Sequence, residues 1–156
     1  MNGHLIAVGD RMPRWVQLGF DEYARRLPAE CTLRLVEIAA GRRMRNADIP
    51  RIVRDETTRV LSAIPKGARA IALEVGGQRW STEQLAERLD DWMADGRDLA
   101  LMVGGPDGLG EAARAAAELQ WSLSPLTLPH PLVRVIVAEQ LYRAWSLLRN
   151  HPYHRA

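Results

Sequence analysis

Residues 99–119 read LALMV, then GGPDG, then LGEAARAAAEL. Leu99, Ala100, Leu101, Met102 and Val103 form a short apolar run, which reads as a strand. Gly104-Gly105-Pro106-Asp107-Gly108 is a sharp loop. Residues 112–119 form an alanine-rich helical stretch. Strand, loop and helix in that order are the repeating half of an α/β sheet.

The same alternation extends outward in both directions. On the N-terminal side, residues 5–8 read as a strand ending at Gly9-Asp10. Pro13 fits the first turn of a helix whose face is Val16, Phe20, Tyr23 and Leu27, closed by Pro28. Residues 32–38 are rich in β-branched and aliphatic side chains and read as a strand. Asn46 is placed to cap a second helix, striped by Ile49, Ile52, Val53, Val60 and Ile64 and stopped by Pro65-Lys66-Gly67. A third strand spans about 69–75, before Gly76-Gly77. Ser81 with Gln84 three residues later spells a capping box. Leu85, Leu89 and Trp92 follow on one helical face, closed by Gly96. On the C-terminal side, residues 121–128 read as extended, with Pro125 arguing against a regular central strand. Pro131 starts a last helix reaching about Arg149, and a tail follows. The fold class is therefore α/β, a mostly parallel sheet with helices on both faces, in one domain over residues 1–156.

Composition closes off several function classes. No run of apolar residues is long enough to span a membrane. The N-terminus lacks an export signal pattern, so a cytoplasmic protein is expected. A single cysteine, Cys31, excludes an internal disulfide and a cysteine-rich metal site, and reads as a packed side chain. Net charge is +2, too small for indiscriminate capture of nucleic acid. The charge is unevenly spread: residues 1–60 carry +3, residues 61–120 carry −4 and residues 121–156 carry +3. Arginine supplies 20 of the 21 basic side chains, which fits both a GC-rich genome and phosphate recognition.

Four features could carry chemistry. The loop at 104–108 sits at the carboxyl end of a strand, where open α/β sheets bind ligands. It is neither a P-loop nor a dinucleotide fingerprint, so a tight turn reads equally well. Residues 123–128, Leu-Ser-Pro-Leu-Thr-Leu, lead into Pro129-His130-Pro131, and present either an ordinary rigid loop or backbone groups facing a flat ligand in an apolar slot. His130 reads as a helix-start residue or a catalytic one. The segment Asn150-His151-Pro152-Tyr153-His154-Arg155 suits stacking on a base and contact with oxygens better than metal binding. Finally, Leu132, Val133, Val135, Ile136, Val137 and Ala138 make the last helix apolar nearly all round, so it is either a central core helix or the seam of a symmetric dimer. No nucleophile triad stands out, which leaves a small-ester hydrolase unsupported. For the loop Arg42-Arg43-Met44-Arg45, a solvated role and an RNA contact both stay open.

Taken together, residues 104–109, 123–134, 138–146 and 150–155, with Val8-Gly9-Asp10-Arg11-Met12-Pro13 and Asn46-Ala47-Asp48-Ile49, resemble the RlmH family over essentially the whole chain. These are small SPOUT-class methyltransferases of a large-subunit ribosomal pseudouridine. The resemblance implies a C-terminal trefoil knot over about 99–150, which the usual avoidance of threaded chains would not suggest. It implies S-adenosylmethionine as donor and no metal, with Leu73, Gly105, Leu123, Ser124, Pro125, Leu126, Thr127 and Leu128 at the donor site. It implies methyl transfer to pseudouridine N3 in 23S rRNA of the 70S ribosome, by a homodimer with no membrane or DNA partner. Tyr153 and Arg155 would orient the base, and His154, with His130 second, would take the N3 proton. The tail at 151–156 would reach the partner's donor pocket. Pro125 and Asp107 are modest departures from the family pattern. The alternatives are a SPOUT enzyme acting on another RNA such as tRNA, and a non-catalytic ribosome-binding protein.

Overall fold

In the computed structural model, which describes residues 1–155, five strands form one parallel sheet. They are β1 (Asn2–Val8), β2 (Thr32–Ile38), β3 (Arg69–Arg79), β4 (Leu99–Val103) and β5 (Leu119–Ser122), in the order β2-β1-β4-β3-β5. Every pairing is parallel, with Gly3 opposite both Thr32's neighbour Leu33 and Leu99. A central parallel strand is covered on both faces, which is why β4 needs no polar position: all five of its residues are buried.

Alternation along the strands separates two cores. Leu5, Ala7, Ile71, Leu101 and Val103 point to one face. They pack there with Phe20 of α1 (Arg14–Ala24), Leu85, Leu89 and Trp92 of α3 (Thr82–Asp95), and Val137 and Leu141 of α5 (His130–Leu148). Ile6, Val8, Ala70, Ala72, Ala100 and Met102 point to the other, beneath Val60 of α2 (Ile49–Ser62) and Ala113 of α4 (Glu111–Ala116). Helices thus cover both faces, as the alternating pattern requires. Cys31 is buried among apolar neighbours, and burial pushes its thiol up to about 11, so it is inert packing.

Several local readings change. The α1 helix stops at Ala24, and Leu27 packs from the turn beyond it. The cap of α2 is Asp48, whose carboxylate accepts from the Arg51 N–H at 3.2 Å, and not Asn46. Both residue types cap well, so the local sequence does not choose between them. Strand β3 does not end before Gly76-Gly77. It continues to Arg79 through an irregularity between Leu73 and Gln78, where a side chain on Gly77 would strike the Gln120 backbone. Helix α4 ends at Ala116, and Leu119 already belongs to β5, an edge strand that stops before Pro125. The capping box at Ser81 and the left-handed Gly96 closure of α3 form as the sequence spells them.

Helix α5 packs against both α1 and α3. Its apolar residues Leu132, Val133, Val135 and Ile136 stay half-buried. Asn150, at φ 55°, ends the chain's last long helix, and a short 3-10 turn over Pro152–His154 follows. Ala156, the last position of the expected tail, lies outside the described residues. No helix among the described residues is long and apolar enough to cross a membrane.

Candidate functional site

A cavity of about 360 Å³ opens at the carboxyl ends of β3, β4 and β5. Leu73, Glu74 and Val75 come from β3, Val103 from β4 and Trp121 from β5. Gly104, Gly105, Pro106, Gly108 and Leu109 form one wall. Residues 123–129 leave the β5 edge and cross to the start of α5, and Leu123, Ser124, Leu126, Thr127, Leu128 and Pro129 form the opposite wall. His130 and Val133 close the far end.

The glycine wall has a steric cause. A Cβ on Gly104 would run into the backbone of Gly108 and Leu109, because the loop doubles back on itself. Gly108 N–H donates to the Gly105 carbonyl at 3.0 Å, and Gly108 takes φ 76°, a left-handed turn that glycine adopts freely. The opposite wall is held by Ser124: its carbonyl accepts from the Ser122 hydroxyl at 2.9 Å and its own hydroxyl accepts from the Leu126 N–H at 3.0 Å. That turn leaves Leu126 72% exposed at the cavity mouth, an apolar side chain with no intrachain cover.

The cavity therefore gathers Leu73, Gly105, Leu123, Ser124, Leu126, Thr127, Leu128 and His130. Pro125 does not line it; it sits at the apex of the Ser124 turn, exposed. Sequence reasoning missed Val75, Val103, Trp121 and Val133. Val103 was within reach, since it is the last residue before the glycine loop. Trp121 is buried and backed by a stacked Trp80 ring, with centroids 5.2 Å apart, a contact between β5 and the residue just after β3 that no local pattern announces.

His130 is set by what lies beneath it. Four residues along the same helix, Arg134 is fully buried. Its guanidinium donates to the Gly9 carbonyl at 2.6 Å and to Glu37 at 2.8 Å. A Cβ on Gly9 would touch both the Arg134 guanidinium and the His130 ring. Burial first, then the Arg134 and Arg43 cations, hold the His130 imidazole below its usual range, and its Nδ1 is buried without a partner. The same surroundings favour the neutral form of the His130 ring.

The basic loop resolves into two kinds of arginine. Arg43 turns inward. It forks onto buried Glu56 at 2.8 and 3.0 Å and donates through Nε to Asp107 at 2.7 Å. Burial alone would push the Glu56 carboxyl up, but Arg43 and the Gly41 N–H outweigh it and hold it down. Arg43 is thus a strut between α2 and the glycine loop, while Arg42 and Arg45 are exposed.

The tail gathers elsewhere. Tyr153 donates to Glu139 at 2.9 Å, packs 4.7 Å from the Tyr142 ring and lies under the Arg143 guanidinium at 5.0 Å. Burial and the Glu139 carboxylate push the Tyr153 phenol well above its ordinary value, so it stays protonated. His154 has a buried Nδ1 without a partner, and Arg155 is exposed. This cluster sits against the C-terminal half of α5, and His130 at its N-terminal end. Tyr153 folds back to Glu139, nine residues beyond His130 and about 14 Å along the helix at ~1.5 Å per residue, and none of the three tail residues lines the cavity. One chain does not bring Tyr153, His154 and Arg155 to the cavity.

Comparison with known proteins supplies the remaining findings. A family model described as "Predicted SPOUT methyltransferase" matches residues 1–154. The chain is 64% identical over 155 residues to a ribosomal RNA large subunit methyltransferase H of Thioalkalivibrio sulfidiphilus, covering 99% of each chain. It is 61% identical over 155 residues to the same-named protein of Methylococcus capsulatus, covering 99% of this chain and 100% of that one. Among solved structures, it is similar to a Neisseria gonorrhoeae ribosomal RNA small subunit methyltransferase E bound to S-adenosyl methionine. There the TM-score is 0.55 at 12% identity, over 95% of this chain and 66% of the other, a likeness of fold alone.

Proposed function

The chain belongs to the SPOUT methyltransferase family, and from that premise we propose that it methylates large-subunit ribosomal RNA with S-adenosylmethionine as donor. In this reading the acceptor is N3 of a pseudouridine in 23S rRNA, on the assembled 70S ribosome in the cytoplasm. The whole chain acts as one SPOUT domain, with the donor held in a trefoil-knotted region over about 99–150.

The observation that carries the reading is the cavity. Seven of the eight positions expected at the donor site line it, and its ~360 Å³ suits a nucleoside-sized ligand. Leu73, Val103, Leu126 and Trp121 offer apolar faces for a flat adenine. Backbone groups of residues 123–128 offer hydrogen bonds to its edge. The doubled-back glycine loop leaves room for a bent donor beside it.

The donor supplies a methyl carbon already activated by its sulfonium. The work left to the protein is to deprotonate N3, an imide nitrogen, and to align its lone pair with the S–CH3 bond. His154 accepts the N3 proton as the N–C bond forms and the C–S bond breaks, leaving a neutral thioether. Arg155 holds the flanking carbonyl oxygens as charge develops on them, and Tyr153, whose hydroxyl proton goes to Glu139, orients the base through its ring. Neutral His130 is the second candidate acceptor.

Because none of Tyr153, His154 and Arg155 lines the cavity of its own chain, this reading calls for a second copy. A homodimer seated on the half-buried apolar face of α5 would give two sites, each with one protomer's cavity and its partner's tail.

The test uses isotope-labelled S-adenosylmethionine with free 23S rRNA, 50S subunits, 70S ribosomes and tRNA from a strain lacking the modification. Label at a pseudouridine N3 of 23S rRNA, strongest with 70S, is the expected result. Label in tRNA alone would overturn the acceptor, and no transfer to any RNA would favour a non-catalytic ribosome-binding role. For the shared site, a tail-deleted chain is mixed with a Gly105→Trp chain. Each alone is inactive and the mixture recovers transfer; no recovery at any ratio rejects action across the dimer.

A further inference from the structure

Arg25, Arg26, Arg69, Arg97, Arg114 and Arg149 each meet a carboxylate within 4 Å. Eight exposed arginines have no ion pair or side-chain hydrogen bond on their guanidinium groups among the described residues: Arg54, Arg79 and Arg155, and the group Arg11, Arg14, Arg42, Arg45 and Arg51. That group of five follows the carboxyl ends of β1 and β2. These strands are neighbours, and Gly9 N–H donates to the Ile38 carbonyl at 2.6 Å where they end. The acidic residues nearby are Asp10, Asp48, which is spent on capping α2, and Glu37, Glu56 and Asp107, which pair with Arg134 and Arg43.

Two of the five also break a local rule. Helix N-termini favour acids, and Glu83 and Glu111 occupy the first turns of α3 and α4. Helices α1 and α2 carry no acid there; they carry Arg14 and Arg51 instead. Helices on opposite faces of the sheet thus each place a cation at the positive end of their own dipole, both at the sheet's carboxyl edge. A repulsion retained twice at one edge is what an external polyanion would relieve.

The surface also adjoins the cavity. Arg43, between exposed Arg42 and Arg45, holds Asp107 of the glycine loop at 2.7 Å. A Cβ on Gly105 would lie 3.9 Å from its guanidinium. Anything seated on Arg42 and Arg45 is one strut away from the donor wall.

We propose that Arg11, Arg14, Arg42, Arg45 and Arg51 form a contact surface for the RNA phosphate backbone, joined to the donor loop through Arg43 and Asp107. The proposal rests on the RNA methyltransferase reading and adds which face of the protein meets the RNA. Guanidinium forks suit phosphate oxygens, and five cations with no internal partner are free to displace counterions.

The test is binding to 70S ribosomes by co-sedimentation over a salt titration, with methyl transfer followed in parallel. Arg42→Ser with Arg45→Ser should weaken binding about tenfold and lower the salt slope by roughly two. KM for ribosomes should rise with kcat and donor affinity unchanged. Arg14→Glu with Arg51→Glu should weaken binding at least as much while raising Tm by about 2 °C, because each change now suits its helix dipole. Arg97→Ser, which touches an ion-paired arginine near the amino end of β4, should leave the salt slope alone. The surface is rejected if both pairs bind with the wild-type slope, if Arg97→Ser lowers the slope equally, or if the wild-type protein binds no ribosomal RNA. Wild-type binding without transfer would instead reject the methyltransferase reading and leave the surface standing.

Discussion

The Arg134 guanidinium donates to the Gly9 carbonyl over 2.6 Å, joining the first turns of α5 to the end of β1 where both residues are buried. That bond, with the 2.8 Å pairing to Glu37, fixes where the cavity's far wall begins. Replacing Arg134 by Met strands the Gly9 carbonyl in the interior and leaves Glu37, an exposed position of β2, to solvent. The expected loss is about 1–3 kcal/mol, read as a lower urea midpoint at unchanged slope.

The same neighbourhood sets a pH dependence. His130 is depressed by burial and by the Arg134 and Arg43 cations, so the folded protein binds its proton less readily than the unfolded chain. The associated stability is fully present above about pH 6.5 and is lost as pH falls through the folded-state value. His130→Gln should flatten the decline in urea midpoint between about pH 7 and about pH 5; an unchanged decline would show that other groups control it.

The glycine loop separates space from backbone angle. Gly104→Ala forces a Cβ into the backbone of Gly108, and should abolish binding of S-adenosylhomocysteine in calorimetry. Gly108→Ala meets nothing within 4 Å and costs only its positive φ, about 1 kcal/mol, with donor affinity within about threefold of wild type.

Tyr153→Phe keeps the ring against Tyr142 and removes the bond to Glu139. Donor affinity should not change, since Tyr153 does not line the cavity. Single-turnover transfer to ribosomes should fall at least about tenfold.

Ser81→Ala removes one half of the α3 capping box and should cost about 1 kcal/mol in thermal or urea unfolding, with transfer intact.

That last residue shows where sequence speaks clearly. Ser81 with Gln84, Gly96, the strand Thr32–Ile38 and the all-apolar Leu99–Val103 are set by neighbours within four positions, and local pattern suffices to find them. Apart from Leu73, the cavity-wall positions named from the sequence cluster in two short segments, the glycine loop and residues 123–128, and so are reachable. Arg134 was not: inside an apolar helix it reads as a surface residue, and its partners Gly9 and Glu37 are 125 and 97 positions away. Arg43 was misjudged for the same reason, since Glu56 and Asp107 give it an inward role that its basic neighbours conceal. The run of β3 past Gly76-Gly77 escaped because two glycines ordinarily end a strand, and only the fit against Gln120 shows that these do not.

Because β1 lies between β2 and β4, its Gly3–Ala7 edge is completed only by residues 99–103. On a translating ribosome, about 95 residues separate the end of β1 from the end of β4, or about 5–20 s of synthesis at ordinary rates. Throughout that interval the apolar stretch Leu5–Val8 has at least one uncovered hydrogen-bonding edge. The nascent chain therefore needs protection during elongation, and slowing synthesis before residue 103 would lower soluble yield more than slowing it afterwards.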